Sequence, residues 1–169
     1  KTKRILDWKT AERIPWGILI LFGGGLALAE GFKETGLAEW IGQRFTLIEG
    51  ISFFLLLLII IASVNFLTEV TSNVATASML LPILASVALK LDLHPFGLMV
   101  GATLAASCAF MLPVATPPNA VVFGSGFLQM KDMVKAGFWL NIFSILIVSL
   151  LVYFLLPVLW NIDLEINPC

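Results

Sequence analysis

Between Pro95 and Met130 the chain carries no charged residue, yet Pro113, Pro117 and Pro118 stand near the middle of that stretch. As one helix it would be about 54 Å long at a rise of about 1.5 Å per residue, too long for a single membrane span. Proline removes a backbone donor and clashes with the preceding turn. The expected structure is therefore two half-helices, about 97–113 and 120–129, meeting at an unwound joint. A second long apolar stretch, 50–89, holds one charge, Glu69, inside a polar centre of Thr68-Glu69-Val70-Thr71-Ser72-Asn73. Its arms, 51–67 and 75–89, are each at most about 27 Å long, which predicts a helical hairpin with a polar tip. A third stretch, Ala136 to Ile162, is free of charge and predicts a plain last spanning helix over 137–160. Trp139 and Trp160 would stand about 31 Å apart along it, one at each interface.

Composition agrees with a bilayer as solvent. Of 169 residues, 59% are hydrophobic and 12% charged, whereas soluble domains carry about 25% charged residues. The fold class expected is an all-α membrane protein with a re-entrant hairpin over 50–89 and a broken helix over 95–130. Residues 1–13 read as a basic cytoplasmic segment. Residues 14–45 read as a short spanning segment, interrupted by Gly23-Gly24-Gly25, followed by an amphipathic interfacial helix. A polar turn is expected at Lys131–Lys135, and 161–169 as an external tail. Lys1, Lys3, Arg4, Lys9, Arg13, Lys131 and Lys135 then share one side, which the distribution of basic residues makes cytoplasmic. The expected location is a cell (inner) membrane, crossed several times. No signal peptide is recognisable, and an opening without Met reads as part of a longer chain.

Several functions are disfavoured. The basic residues are too few and dispersed for nucleic acid. Cys108 and Cys169 form no metal or disulfide framework. No nucleophile–base pair or metal cluster argues for an enzyme. Non-helical backbone at membrane depth survives only where protein or a watery cavity surrounds it, and transporters build midplane sites from such joints. Half-helix N-termini present positive dipole ends to anions, and unwound carbonyls suit a small hard cation. Ser72, Asn73 and Thr116 supply hydroxyl and amide groups, while Pro117 and Pro118 hold the joint open. No Lys or Arg lies in either break, so a bound anion needs cations beside it. Glu69 has three readings: it shapes the field of a bound cation, it is a structural pairing, or it is simply exposed in the cavity. Asn65 and Asn141 read as satisfied helix asparagines, and Gly97 with Gly101 as a packing face.

Two motifs in order, Thr68-Glu69-Val70-Thr71-Ser72-Asn73-Val74-Ala75-Thr76 and Leu112-Pro113-Val114-Ala115-Thr116-Pro117-Pro118-Asn119-Ala120, together with the glycine-rich run Phe22 to Leu28, resemble the divalent anion:sodium symporters, carriers of di- and tricarboxylates. The resemblance implies an inverted-repeat transporter of which this chain is the C-terminal, second-repeat part, the N-terminal repeat being absent. It implies a homodimer with an elevator-like site domain, and symport of sodium with a C4-dicarboxylate such as succinate. Sulfate or tricarboxylate are the alternatives within the family. Outside it stand a channel built on the same broken helices and a fragment inactive by itself. By the same resemblance Ser72, Asn73, Val74, Thr116 and Pro117 bind substrate, and Thr68, Thr71, Asn73 and the Ala115 carbonyl hold sodium. The family often has Ser-Asn-Thr at the tip. Val74 replaces that threonine here and removes one hydroxyl.

Overall fold

A computed structural model of the chain describes residues 8–12, 52–166 and scattered residues between 20 and 40. The expected segments 1–13 and 14–45, as continuous elements, lie outside them. Among the described residues all regular structure is helical. A single turn, α1 (Trp8–Ala11), is followed by α2 (Phe53–Thr68), α3 (Asn73–Lys90), α4 (Pro95–Ala106), α5 (Pro117–Gly124), α6 (Met130–Leu150) and α7 (Leu156–Trp160), with a π-helical turn, Leu151–Leu155, joining the last two.

Local chemistry sets most of these boundaries. Ser52 caps α2, its hydroxyl accepting from the Leu55 N–H at 3.3 Å. α3 ends in a reversal in which the Leu93 N–H reaches back to the Ala88 carbonyl (2.9 Å) and the Asp92 N–H to that of Leu89 (3.3 Å). That pattern needs a left-handed residue at its centre, usually glycine. Asp92 takes the place, at φ 56°, because a short polar side chain tolerates this region. His94 caps α4 through its ring nitrogen, and Pro95 occupies the first helical position, where a missing N–H costs nothing. The π turn ends two residues before Pro157, where the helical ladder loses a donor.

α4 is wedged between α2 and α3, which touch each other little. Its approach to α2 depends on glycine. A Cβ at Gly97 would stand 2.8 Å from Phe53 Cζ, and one at Gly101 2.9 Å from Leu57 Cδ1 and 3.1 Å from Ile61 Cδ1. The core is built from Leu57 and Ile61 of α2, Leu98, Ala102 and Ala105 of α4, and Ile145, Val148 and Val152 from the last helix and its π turn. That last helix keeps an apolar outer face, with Phe138, Trp139, Phe143, Ile147 and Phe154 exposed. By length and apolarity, Asn73–Lys90 and Met130–Trp160 are long enough to cross a membrane, while α2 and α4 are shorter.

Two boundaries differ from the sequence expectation. The first half-helix ends at Ala106 rather than near Pro113, and the second runs over Pro117–Gly124, so Ser107–Thr116 is unwound. The prolines account for the far end of the break, and contacts described below account for the near end. The polar residues Lys131, Asp132 and Lys135 are not in a turn but in the first turns of α6, where Asp132 suits the positive end of the helix.

Replacing Gly101 by leucine is expected to lower the thermal stability of the detergent-solubilised protein, because overpacking a filled contact costs about 1–3 kcal/mol. Gly124→Leu, at a position with nothing within 4 Å of the added Cβ, should change the melting temperature far less. Equal melting temperatures for the two variants would contradict the α2–α4 contact.

Candidate functional site

The tip between α2 and α3 meets the break between α4 and α5 across a cleft of about 530 Å³. Val70, Thr71, Ser72, Asn73 and Val74 line it from the tip, and Val114, Ala115 and Pro117 from the break. Of the residues singled out in the sequence, Thr71, Ser72, Asn73, Val74, Ala115 and Pro117 thus share one cavity. Thr116 is not among its walls. Its hydroxyl accepts from the Asn119 N–H (3.3 Å) and its carbonyl from the Ala120 N–H (3.1 Å), so it caps α5. Thr68 is fully buried behind the tip.

Two helix starts face this cleft, and they differ in what they offer. α5 begins Pro117-Pro118, which have no N–H, and the next donor, Asn119 N–H, is used by Thr116. It contributes a dipole and no free donor. α3 begins at Asn73, and its cap residue Ser72 makes no side-chain cap bond. The N–H groups of Asn73, Val74 and Ala75 are orphans of the helix start, without partners among the described residues. The free backbone donors beside the cleft, among the described residues, therefore come from the tip.

Oxygens gather on the other side of Asn73. Thr68 Oγ1 lies 2.7 Å from Asn73 Oδ1 and 3.0 Å from the Ala106 carbonyl oxygen. One hydroxyl proton serves only one of these acceptors at a time, so an acceptor is left over. With Oδ1 turned to Thr68, Asn73 Nδ2 keeps its donors free among the described residues. The Thr71 hydroxyl is engaged elsewhere, donating to the Leu67 carbonyl (2.8 Å) and pairing with Thr76 (2.6 Å). The main-chain carbonyls of Thr71 and Ala115 accept no hydrogen bond from a described residue.

What shapes the break is Glu69. The residue is buried, 3% exposed. Oε1 accepts from the N–H groups of Phe110 (2.8 Å) and Met111 (3.0 Å), and Oε2 from those of Met111 (3.1 Å) and Leu112 (3.1 Å). Asn141 Nδ2 of α6 donates to Oε1 at 2.7 Å. One carboxylate thus takes three successive backbone donors that helix continuation would have used. Hydrogen bonds to a charged group contribute about 1.5–3 kcal/mol each. Three carbonyl oxygens of the break are held by asparagines: Asn65 Nδ2 donates to Cys108 O (2.6 Å), and Asn119 Nδ2 to Ala109 O (2.9 Å) and Leu112 O (3.1 Å). Of the three readings of Glu69, the structure shows the pairing, and its burial rules out exposure in the cavity. Asn65 and Asn141 do more than satisfy themselves, since each binds the break or its clasp, and the Oδ1 of each is buried without a partner among the described residues. The role of Asn119 was hidden inside a motif, while that of Asn141 had no local signal beyond being polar in a charge-free stretch.

Comparison with known proteins places these motifs. The family described as "Sodium:sulfate symporter transmembrane region" matches residues 2–162. A sodium-dependent dicarboxylate transporter, SdcS, of Staphylococcus saprophyticus is 56% identical over 163 residues, which is 96% of this chain and 31% of that protein. Proteins of the same name from two Staphylococcus aureus strains, MRSA252 and USA300, are each 52% identical over 165 residues, covering 98% of this chain and 32% of their own length. The chain spans about a third of the length of the curated relatives it matches.

Removing the carboxylate by Glu69→Ala is expected to expose the amides of Phe110, Met111 and Leu112. Hydrogen exchange followed by mass spectrometry should then show them exchanging about 10–100-fold faster, as loss of a bond to a charged group predicts. Unchanged protection would remove Glu69 from its role in shaping the break.

Proposed function

Because the chain belongs to the sodium:sulfate symporter family, we propose that it is the C-terminal, second-repeat part of a sodium-coupled symporter of C4-dicarboxylates such as succinate, and that the tip–break cleft is one half of the transport site. The names of the relatives support sodium and a dicarboxylate. The cleft chemistry supports an anion held by neutral donors. A substrate carboxylate is taken by the N–H groups of Asn73, Val74 and Ala75, with the Ser72 hydroxyl and Asn73 Nδ2 beside them. Val74 and Pro117 give apolar walls, and Thr116 acts by fixing the start of α5. Among the described residues no Lys or Arg lines the cleft, so in this reading the substrate charge is balanced by sodium. The sodium ligands are the Thr68 hydroxyl, Asn73 Oδ1 and the free carbonyls of Thr71 and Ala115.

The single observation that carries this reading is the placement of Asn73. Its Oδ1 lies 2.7 Å from Thr68 Oγ1 in the oxygen cluster, and the same residue lines the cleft. One side chain so placed makes anion binding and cation binding depend on each other, which is what symport requires. In this proposal α2 and α3 form a hairpin re-entering the bilayer, and the Lys and Arg distribution keeps the start of the chain cytoplasmic and its end external. The other half of the site lies in an N-terminal repeat, and the complete protein works as a homodimer with an elevator-like movement.

In the full-length protein reconstituted in proteoliposomes, Asn73→Ala should reduce sodium-driven succinate uptake by about 100-fold, the loss expected for two hydrogen bonds of about 1.5 kcal/mol each. Unchanged uptake would sink the site assignment. Uptake that proceeds equally in potassium would point to a channel. Stronger competition by sulfate than by succinate would move the substrate to the inorganic oxyanion.

A further inference from the structure

We propose that Gly137 and Asn141, one turn apart on α6, are positioning residues for transport, although neither lines the cleft. The proposal rests on the symporter reading above and deepens it. Gly137 is buried, and a Cβ there would overlap the Phe110 carbonyl oxygen and the Met111 Cα. Both are backbone atoms, so no side chain can turn aside to make room. Only glycine lets the unwound chain lie directly on α6. One turn later, Asn141 is fully buried and donates to Glu69 Oε1 at 2.7 Å. That oxygen also takes the N–H groups of Phe110 and Met111. The helix therefore grips the break twice, once by contact with its backbone and once through the carboxylate that holds it.

The consequence reaches the cleft along a short path. Glu69 sits between Thr68 of the oxygen cluster and Val70 of the cleft wall. Phe110 to Leu112 lead into Val114, Ala115 and Pro117 of the opposite wall. Asn141 fixes the orientation of the carboxylate, and the carboxylate fixes the distance between the two walls. A loosened grip changes the spacing of both at once. Anion and sodium affinities should then weaken together, although no ligand-contacting group has been altered. This coupling separates a positioning role from a purely structural one. A variant that only lowers the folded fraction reduces maximal uptake and leaves half-saturation values unchanged.

The test uses the full-length protein in proteoliposomes, carrying Gly137→Ala or Asn141→Leu. Folded transporter is quantified by size-exclusion chromatography, and uptake of labelled succinate is measured against sodium and against succinate concentration. The expected result is that half-saturation values for both sodium and succinate rise about ten-fold, per folded transporter. If Asn141→Leu does not fold, Asn141→Gln carries the test, since it keeps an amide donor but moves it one methylene away; raised values support the proposal. If Gly137→Ala does not fold either, the same Gln variant decides alone. Unchanged half-saturation values, with or without a fall in maximal uptake, would overturn the positioning role. Lack of sodium dependence in the unaltered protein is a different outcome, which removes the symporter reading itself.

Discussion

A single buried carboxylate holds the part of the molecule on which everything else depends. Where α4 stops at Ala106 the backbone loses its helical partners, and in an apolar surrounding each unpaired N–H costs several kcal/mol. Glu69 answers three of these donors at once and is itself steadied by Asn141. Its charge is spread over those donors, so no Lys or Arg is needed beside it. The break is thus a built structure with a defined shape, and its asparagine partners, Asn65 and Asn119, complete the set of backbone groups accounted for.

The cleft follows from that clasp. Because Glu69 belongs to the tip and its backbone partners belong to the break, fastening one to the other brings Ser72 and Asn73 opposite Ala115 and Pro117. The two helix starts meeting there are unequal. Pro117 and Pro118 strip the start of α5 of donors, leaving the N–H groups of α3 as the free backbone donors. Asn73 stands between those donors and the oxygens of Thr68 and Ala106. A site with neutral donors on one side and crowded oxygens on the other suits an anion accompanied by a small cation, and poorly suits either alone.

Much of this arrangement was legible in the sequence, because polar residues and prolines are conspicuous in the middle of apolar runs. Ser72-Asn73 and Pro117-Pro118 announce themselves by that contrast, and the helices flanking the tip fall close to the expected arms. The near end of the break was not legible. Ala106 is followed by residues of ordinary helical character, and what ends the helix is a carboxylate 41 residues earlier than Phe110 in the chain. No local propensity carries such information. Gly137 was equally silent, since its importance exists only once the Phe110 backbone lies against it. Lys131 and Lys135 misled in the opposite direction. Charge there suggests a turn, whereas the first turns of a helix accommodate it readily.

On the proposed reading, this cleft binds an organic dianion only together with sodium. Equilibrium binding of labelled succinate to the purified full-length protein, in sodium and in potassium at equal ionic strength, tests it most directly. Saturable binding in sodium and none in potassium is the expected result. Equal binding in the two salts would contradict it.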